Sequence, residues 1–106
     1  MEKLNKIKEI ILDECKKEGV CVEKIILFGS RARGDNSEGS DFDIMVILKD
    51  EIDFKLKRLL ITKIKRILAF ERIPNDIIFY SSNYFCETKM DRGSLSYYVN
   101  KEGMVI

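Results

Sequence analysis

The chain has 106 residues, 45% of them hydrophobic, with 19 basic and 18 acidic side chains and a formal net charge of +1. This length suits one domain, residues 1–106, with a modest core, and the balanced charge gives no global pull toward nucleic acid or an anionic membrane. Histidine is absent, which excludes Ser-His-Asp and Cys-His nucleophile systems and every zinc ligand set that needs an imidazole.

From about Lys3 to Glu18 the pattern predicts an amphipathic helix. Leu4, Ile7, Ile11 and Cys15 share one stripe, and Gly19 stands just beyond the last turn. Val22 to Phe28 reads as a strand ending at Gly29-Ser30. Arg31 to Ser40 is polar and predicts a short helical turn followed by a loop. Phe42 to Leu48 is apolar on both faces beyond Asp43, as in a central strand.

Ile52 to Phe70 is the strongest helix pattern, with Leu56, Leu60, Ile64 and Ile67 on the core side. Lys55, Lys57, Lys63 and Lys65 are expected in water. The only proline, Pro74, ends that pattern, and Asp76 to Tyr80 reads as a third strand. Ser82 to Lys101 predicts helix with a break near Gly93, and Met104 to Ile106 a short strand. The expected fold class is therefore α/β or α+β, a small mixed β-sheet flanked by helices.

The connections place the polar residues. The first two strands are joined by a loop too short for a helical crossover, so they should run antiparallel. A long helix joins the second and third strands, which favours a right-handed parallel crossover. Gly29-Ser30, Asp41, Asp43 and Asp76 then collect at one edge of the sheet.

Asp41 and Asp43 are two apart and project together, with Phe42 on the opposite side. Carboxylates this close repel one another unless a cation lies between them. A hard divalent ion with oxygen ligands answers that need, and Asp76 can serve as a third ligand. Such a cluster suits two-metal phosphoryl chemistry, and Asp76 can also accept a proton. Gly29 and Ser30 offer donors to phosphate oxygens, and Arg31 or Arg33 can pair with phosphate charge.

Taken singly, an Asp-x-Asp is a solvated turn, a Gly-Ser a loop, and each arginine a surface charge; their joint placement carries the significance. Gly29 to Gly34 has Walker-loop glycine spacing, but Asp35-Asn36 stands where Lys-Ser/Thr is required. Arg33-Gly34-Asp35 spells an integrin tripeptide, a coincidence in a chain with no recognisable export signal.

Gly29-Ser30, ten residues, then Asp41-x-Asp43 resembles the signature of the DNA polymerase beta-like nucleotidyltransferase superfamily. The string LFGSRARGDNSEGSDFDIMVIL resembles its minimal nucleotidyltransferase (MNT) branch, paired with HEPN-domain ribonuclease toxins in toxin–antitoxin systems. The resemblance extends to Asp76 opening an apolar strand and to the closing Lys101-Glu102-Gly103. It implies a nucleotidyltransferase fold and a magnesium site of Asp41, Asp43 and Asp76, with two ions when ATP is bound. Gly29 and Ser30 would contact the nucleotide. The implied acceptor is a tyrosine of the partner toxin, which receives AMP. Phe42 stands where an aliphatic residue is commoner, with no loss of activity expected because it faces away from the metal.

A partner fits the small size of the chain, in a homo- or hetero-oligomer. Tyr84, Phe85, Tyr97 and Tyr98 are candidates for that contact, although each can instead pack on the sheet. Neither direct nucleic-acid binding nor a membrane span is expected. Three cysteines without Cys-x-x-Cys spacing read as reduced thiols of a cytoplasmic protein. Two alternatives stay open: an antitoxin that binds without catalysis, and a small-molecule nucleotidyltransferase of the aminoglycoside-modifying kind.

Overall fold

The computed structural model describes residues 2–106; Met1 lies outside the described residues. The elements run α1 (Glu2–Lys17), β1 (Val22–Phe28), α2 (Ser30–Arg33), β2 (Phe42–Leu48), α3 (Phe54–Phe70), β3 (Asn75–Ser81), α4 (Ser82–Thr88), α5 (Leu95–Glu102) and β4 (Met104–Val105). One mixed sheet has the order β3-β2-β1-β4. β1 is antiparallel to β2 and to β4, and β2 is parallel to β3. The mixed α/β class and both strand directions agree with the sequence reading.

The two faces of the sheet are covered unequally. α1 and α3 lie on one face, where Ile7, Ile11, Leu60, Ile64 and Leu68 join Leu27, Ile44 and Val46 in the main core. On the other face α4 and α5 contribute Phe85 and Val99 to a smaller cluster with Ile26, Met45 and Ile47. Strand alternation produces this division, because successive β2 residues serve opposite faces. Among the described residues no helix is long and apolar enough to cross a membrane.

Helix ends set where the strands begin. α3 starts at Phe54 rather than Ile52 because Asp53 caps it, its carboxylate accepting from Leu56 N–H at 2.8 Å. At its far end Ile73 N–H donates to Leu68 O (2.9 Å) and Arg72 N–H to Ala69 O (3.0 Å). This paired back-bonding is the Schellman arrangement, with Arg72 at φ 59° where glycine is usual. The chain is thereby turned through Pro74 into β3, and Phe42 N–H donates to Pro74 O at 3.0 Å.

Two expectations need correction. The buried stripe of α3 is Leu60, Ile64 and Leu68, while Ile67 is half-buried, since steps of four keep a helical row on the sheet. Lys57, Lys63 and Lys65 are half-buried rather than fully in water; the Lys63 ammonium lies 3.7 Å from Glu18 and that of Lys65 lies 3.8 Å from Asp76. Of the tail aromatics left open between partner contact and packing, Phe85 packs on the sheet, 3% exposed, whereas Tyr84 and Tyr98 remain about half exposed at 48% and 52%.

Candidate active site

The ladder brings the acidic residues together. Phe28 of β1 is opposite Asp43 of β2, and Asp43 is opposite Asp76 of β3. Paired residues on adjacent strands share a face, so Asp43 and Asp76 stand side by side on the α4/α5 side. Asp41 immediately precedes β2, with buried Phe42 between the two aspartates and packed into the main core. α4 and α5 leave this end of their face open: Asp41 and Asp76 are exposed and Asp43 is half-buried.

Gly29 completes the corner. It has φ 73°, and a Cβ there would run into the Asp43 carboxylate, with Asp43 Cγ 3.1 Å and Asp43 Cβ 3.3 Å from that carbon. Only glycine leaves this space to the carboxylate while holding a positive φ with an extended ψ of −157°. The next residues form the single turn α2, where Ala32 and Arg33 N–H both reach Gly29 O at 3.1 Å. The N–H groups of Ser30 and Arg31 precede these bonds, at the donor-rich start of the turn.

The two arginines have different fates. Arg31 Nε donates to Ser40 O (3.0 Å) and its Nη2 to Glu38 O (3.1 Å). Its guanidinium also lies 4.0 Å from the centroid of the Phe42 ring. Arg31 thus ties the loop before Asp41 onto the sheet. Arg33 instead faces Asp35 and Glu102, each at 3.2 Å, and lies near enough to Asp43 for its charge to be felt there.

Burial pushes the Asp43 carboxyl above the ordinary carboxylate range, the charges of Asp76 and Asp41 push it further, and Arg33 opposes them. The three aspartates therefore form one electrostatic cluster. Among the described residues, however, no three acidic or thiol side chains are drawn close enough to make a ready-formed metal cage. Asp76 Oδ1 has the Lys65 ammonium at 3.8 Å. In chemistry the donor set fits a hard cation: three carboxylates, with the Gly29 side-chain space given to one of them.

Sequence reasoning gave Lys65 and Glu102 no role at the site. Lys65 belongs to the alternating lysines of α3, with no local sign of its neighbour. Glu102 lies 69 residues from Arg33, and the pairing of β4 with β1 brings the two together.

The family described as "Nucleotidyltransferase domain" matches residues 6–97. The chain belongs to this family. Among nucleotidyltransferase relatives, two Methanocaldococcus jannaschii proteins are similar to it. "Putative protein adenylyltransferase MJ1215" is 45% identical over 56 residues, 51% of this chain and 65% of that protein. "Putative protein adenylyltransferase MJ0604" is 42% identical over 57 residues, 54% of this chain and 53% of that protein. The matched segments thus take in less than two thirds of either relative. A toxin–antitoxin crystal structure with AMP-PNP shares the fold of this nucleotidyltransferase, with a TM-score of 0.56, 21% identity, and coverage of 92% of this chain and 69% of that one. A mutant MntA-HpeT toxin–antitoxin structure does so at a TM-score of 0.57, with 22% identity and coverage of 95% and 69%.

Proposed function

We propose that this chain transfers AMP from ATP to a tyrosine hydroxyl of a HEPN-domain ribonuclease toxin and so acts as its antitoxin. The observation that carries this reading is the row Phe28, Asp43, Asp76 across three strands, with Gly29 yielding its side-chain space to Asp43. The names of the similar proteins, and the toxin–antitoxin and AMP-PNP titles of the structures with the same fold, support the reaction and the partner class.

Asp41, Asp43 and Asp76 would hold magnesium, as two ions with ATP in place. Bound magnesium supplies charge neutralisation for the triphosphate and acidifies the attacking hydroxyl. Gly29 lets the backbone approach the phosphates, and Ser30 adds its N–H and hydroxyl. Arg33 offers its guanidinium to phosphate oxygens. Arg31, expected to act in the same way, we assign to the loop instead, because its donors already serve Ser40 and Glu38.

In the transfer, the acceptor oxygen bonds to the α-phosphorus. The bond to the β,γ-diphosphate breaks, and its electron pair leaves with diphosphate. Asp76 takes the acceptor proton. Residues 1–106 act as one minimal nucleotidyltransferase domain in the cytoplasm, where the three cysteines, all free in the structure, stay reduced. The exposed rings of Tyr84 and Tyr98 offer contact to the toxin, and the near-neutral chain needs no nucleic acid.

Mass spectrometry of a co-expressed HEPN partner tests this reading. The parent should add AMP to the toxin, and Asp41→Asn or Asp43→Asn should abolish the addition while circular dichroism shows an intact fold. Undiminished labelling by both variants would defeat the assignment. Full relief of toxicity by the double variant without labelling would instead establish an antitoxin acting by contact alone.

A further inference from the structure

Glu102 ends α5, and its position is set by the backbone on both sides. Gly103 N–H donates to Val99 O at 2.8 Å. A Cβ at Gly103 would overlap Val99 O and Ile26 Cγ2, so only glycine lets the chain turn this tightly against β1. The next two residues pair with β1, Met104 with Leu27 and Val105 with Ile26. Docking of β4 on β1 carries the Glu102 carboxylate to Arg33, where Arg33 Nη1 donates to Glu102 Oε1 at 3.2 Å. Arg33 Nε donates to Asp35 Oδ2, also at 3.2 Å. A guanidinium has five N–H donors, so these two bonds fix its plane and leave three donors for another anion. The Arg33 charge also reaches Asp43.

We propose that Glu102 is a positioning residue for nucleotide binding: it clamps Arg33 at the lip of the carboxylate cluster with its remaining donors facing the triphosphate. This rests on the nucleotidyltransferase reading above. Both partners are substantially exposed, and an exposed ion pair contributes little to folding. The contact therefore acts on orientation and not on stability. Two effects of the Glu102 carboxylate oppose each other: it orders Arg33, and it repels an incoming triphosphate. If ordering dominates, loss of the acceptor oxygen weakens binding; if repulsion dominates, loss of the charge tightens it.

Isothermal titration with magnesium and a non-hydrolysable ATP analogue separates these effects. Glu102→Ala should weaken binding about three-fold, the scale of one exposed ion pair, with the melting temperature unchanged. Glu102→Gln, which keeps an acceptor oxygen, should stay near the parent. Arg33→Ala should weaken binding at least as much, and adding Glu102→Ala to it should cost nothing further. Tighter binding by both Glu102 variants overturns the proposal in favour of repulsion. Parent binding indifferent to Arg33→Ala or to Glu102→Ala overturns this inference alone. No binding by the parent removes the proposed AMP transfer from ATP and this inference together.

Discussion

The two faces of the sheet differ in thickness, and the difference explains where chemistry can occur. The α1/α3 face is sealed by two long helices whose rows Ile7, Ile11, Cys15 and Leu60, Ile64, Leu68 are all fully buried. The α4/α5 face has only a small cluster around Met45, Ile47, Phe85 and Val99, and it stops short of Asp43. Adjacent residues of one strand thus experience different environments. Phe42 is 5% exposed in the thick core, while Asp43 points into the open end of the thin side. Three like charges are tolerable only where water reaches them; in the sealed core they would be prohibitively costly. The larger core lies on one side and the candidate site on the other.

The sharpest way to break this comparison is Ile64→Ala on the thick side. Deleting buried methyl and methylene groups beneath α3 should destabilise the fold by about 2–5 kcal/mol, measured by urea unfolding. A loss well under that range would mean that the α1/α3 face is not the stabilising one.

Gly29→Ala probes the thin side with a smaller stability effect. An alanine forced to hold φ near 73° with ψ near −157°, a region almost confined to glycine, costs about 1–3 kcal/mol, and its methyl must displace the Asp43 carboxylate. Unfolding should show the modest loss, while AMP transfer should fall much more than stability does. Retained activity would show that the carboxylate does not need this space.

Asp43→Asn should give the smallest change, and one of opposite sign. The folded state raises the Asp43 pKa through burial and the charges of Asp76 and Asp41, so the folded chain binds this proton more tightly than the unfolded chain. The resulting penalty is absent below the unfolded carboxylate pKa of about 3.9. It develops as pH rises through the folded value and is complete at neutral pH. Asp43→Asn should therefore raise the melting temperature of the metal-free protein at pH 7, and the gain should vanish near pH 3. A gain independent of pH would point to packing instead of charge.

Much of the fold is legible in the sequence because its signals are local. β1 and β2 follow the runs Val22–Phe28 and Phe42–Leu48, and strand directions follow from loop lengths. Helix α3 was harder at its edges. Ile67 and Leu68 both lie within helical spacing of Ile64, three and four residues on, and packing on the sheet buries Leu68 fully and Ile67 in part. Phe85 shows the same limit: nothing nearby in sequence says which tail aromatic meets the thin face and which stays in water.

For the candidate site, Gly29-Ser30 and Asp41-x-Asp43 are legible because each is a local string: the first directly follows the apolar run of β1 and the second leads into that of β2. That Asp76 lies at the register of Asp43 was inferable from the crossover, since a parallel partner after a helix begins at the same sheet edge. The fates of Arg31 and Arg33 were not inferable, because the two share one turn and one chemistry. Tertiary structure decides them: the loop after α2 folds back onto Arg31, and the docking of β4 on β1 delivers Glu102 to Arg33. Contacts between residues so far apart depend on register and packing, and leave no periodic trace in the chain.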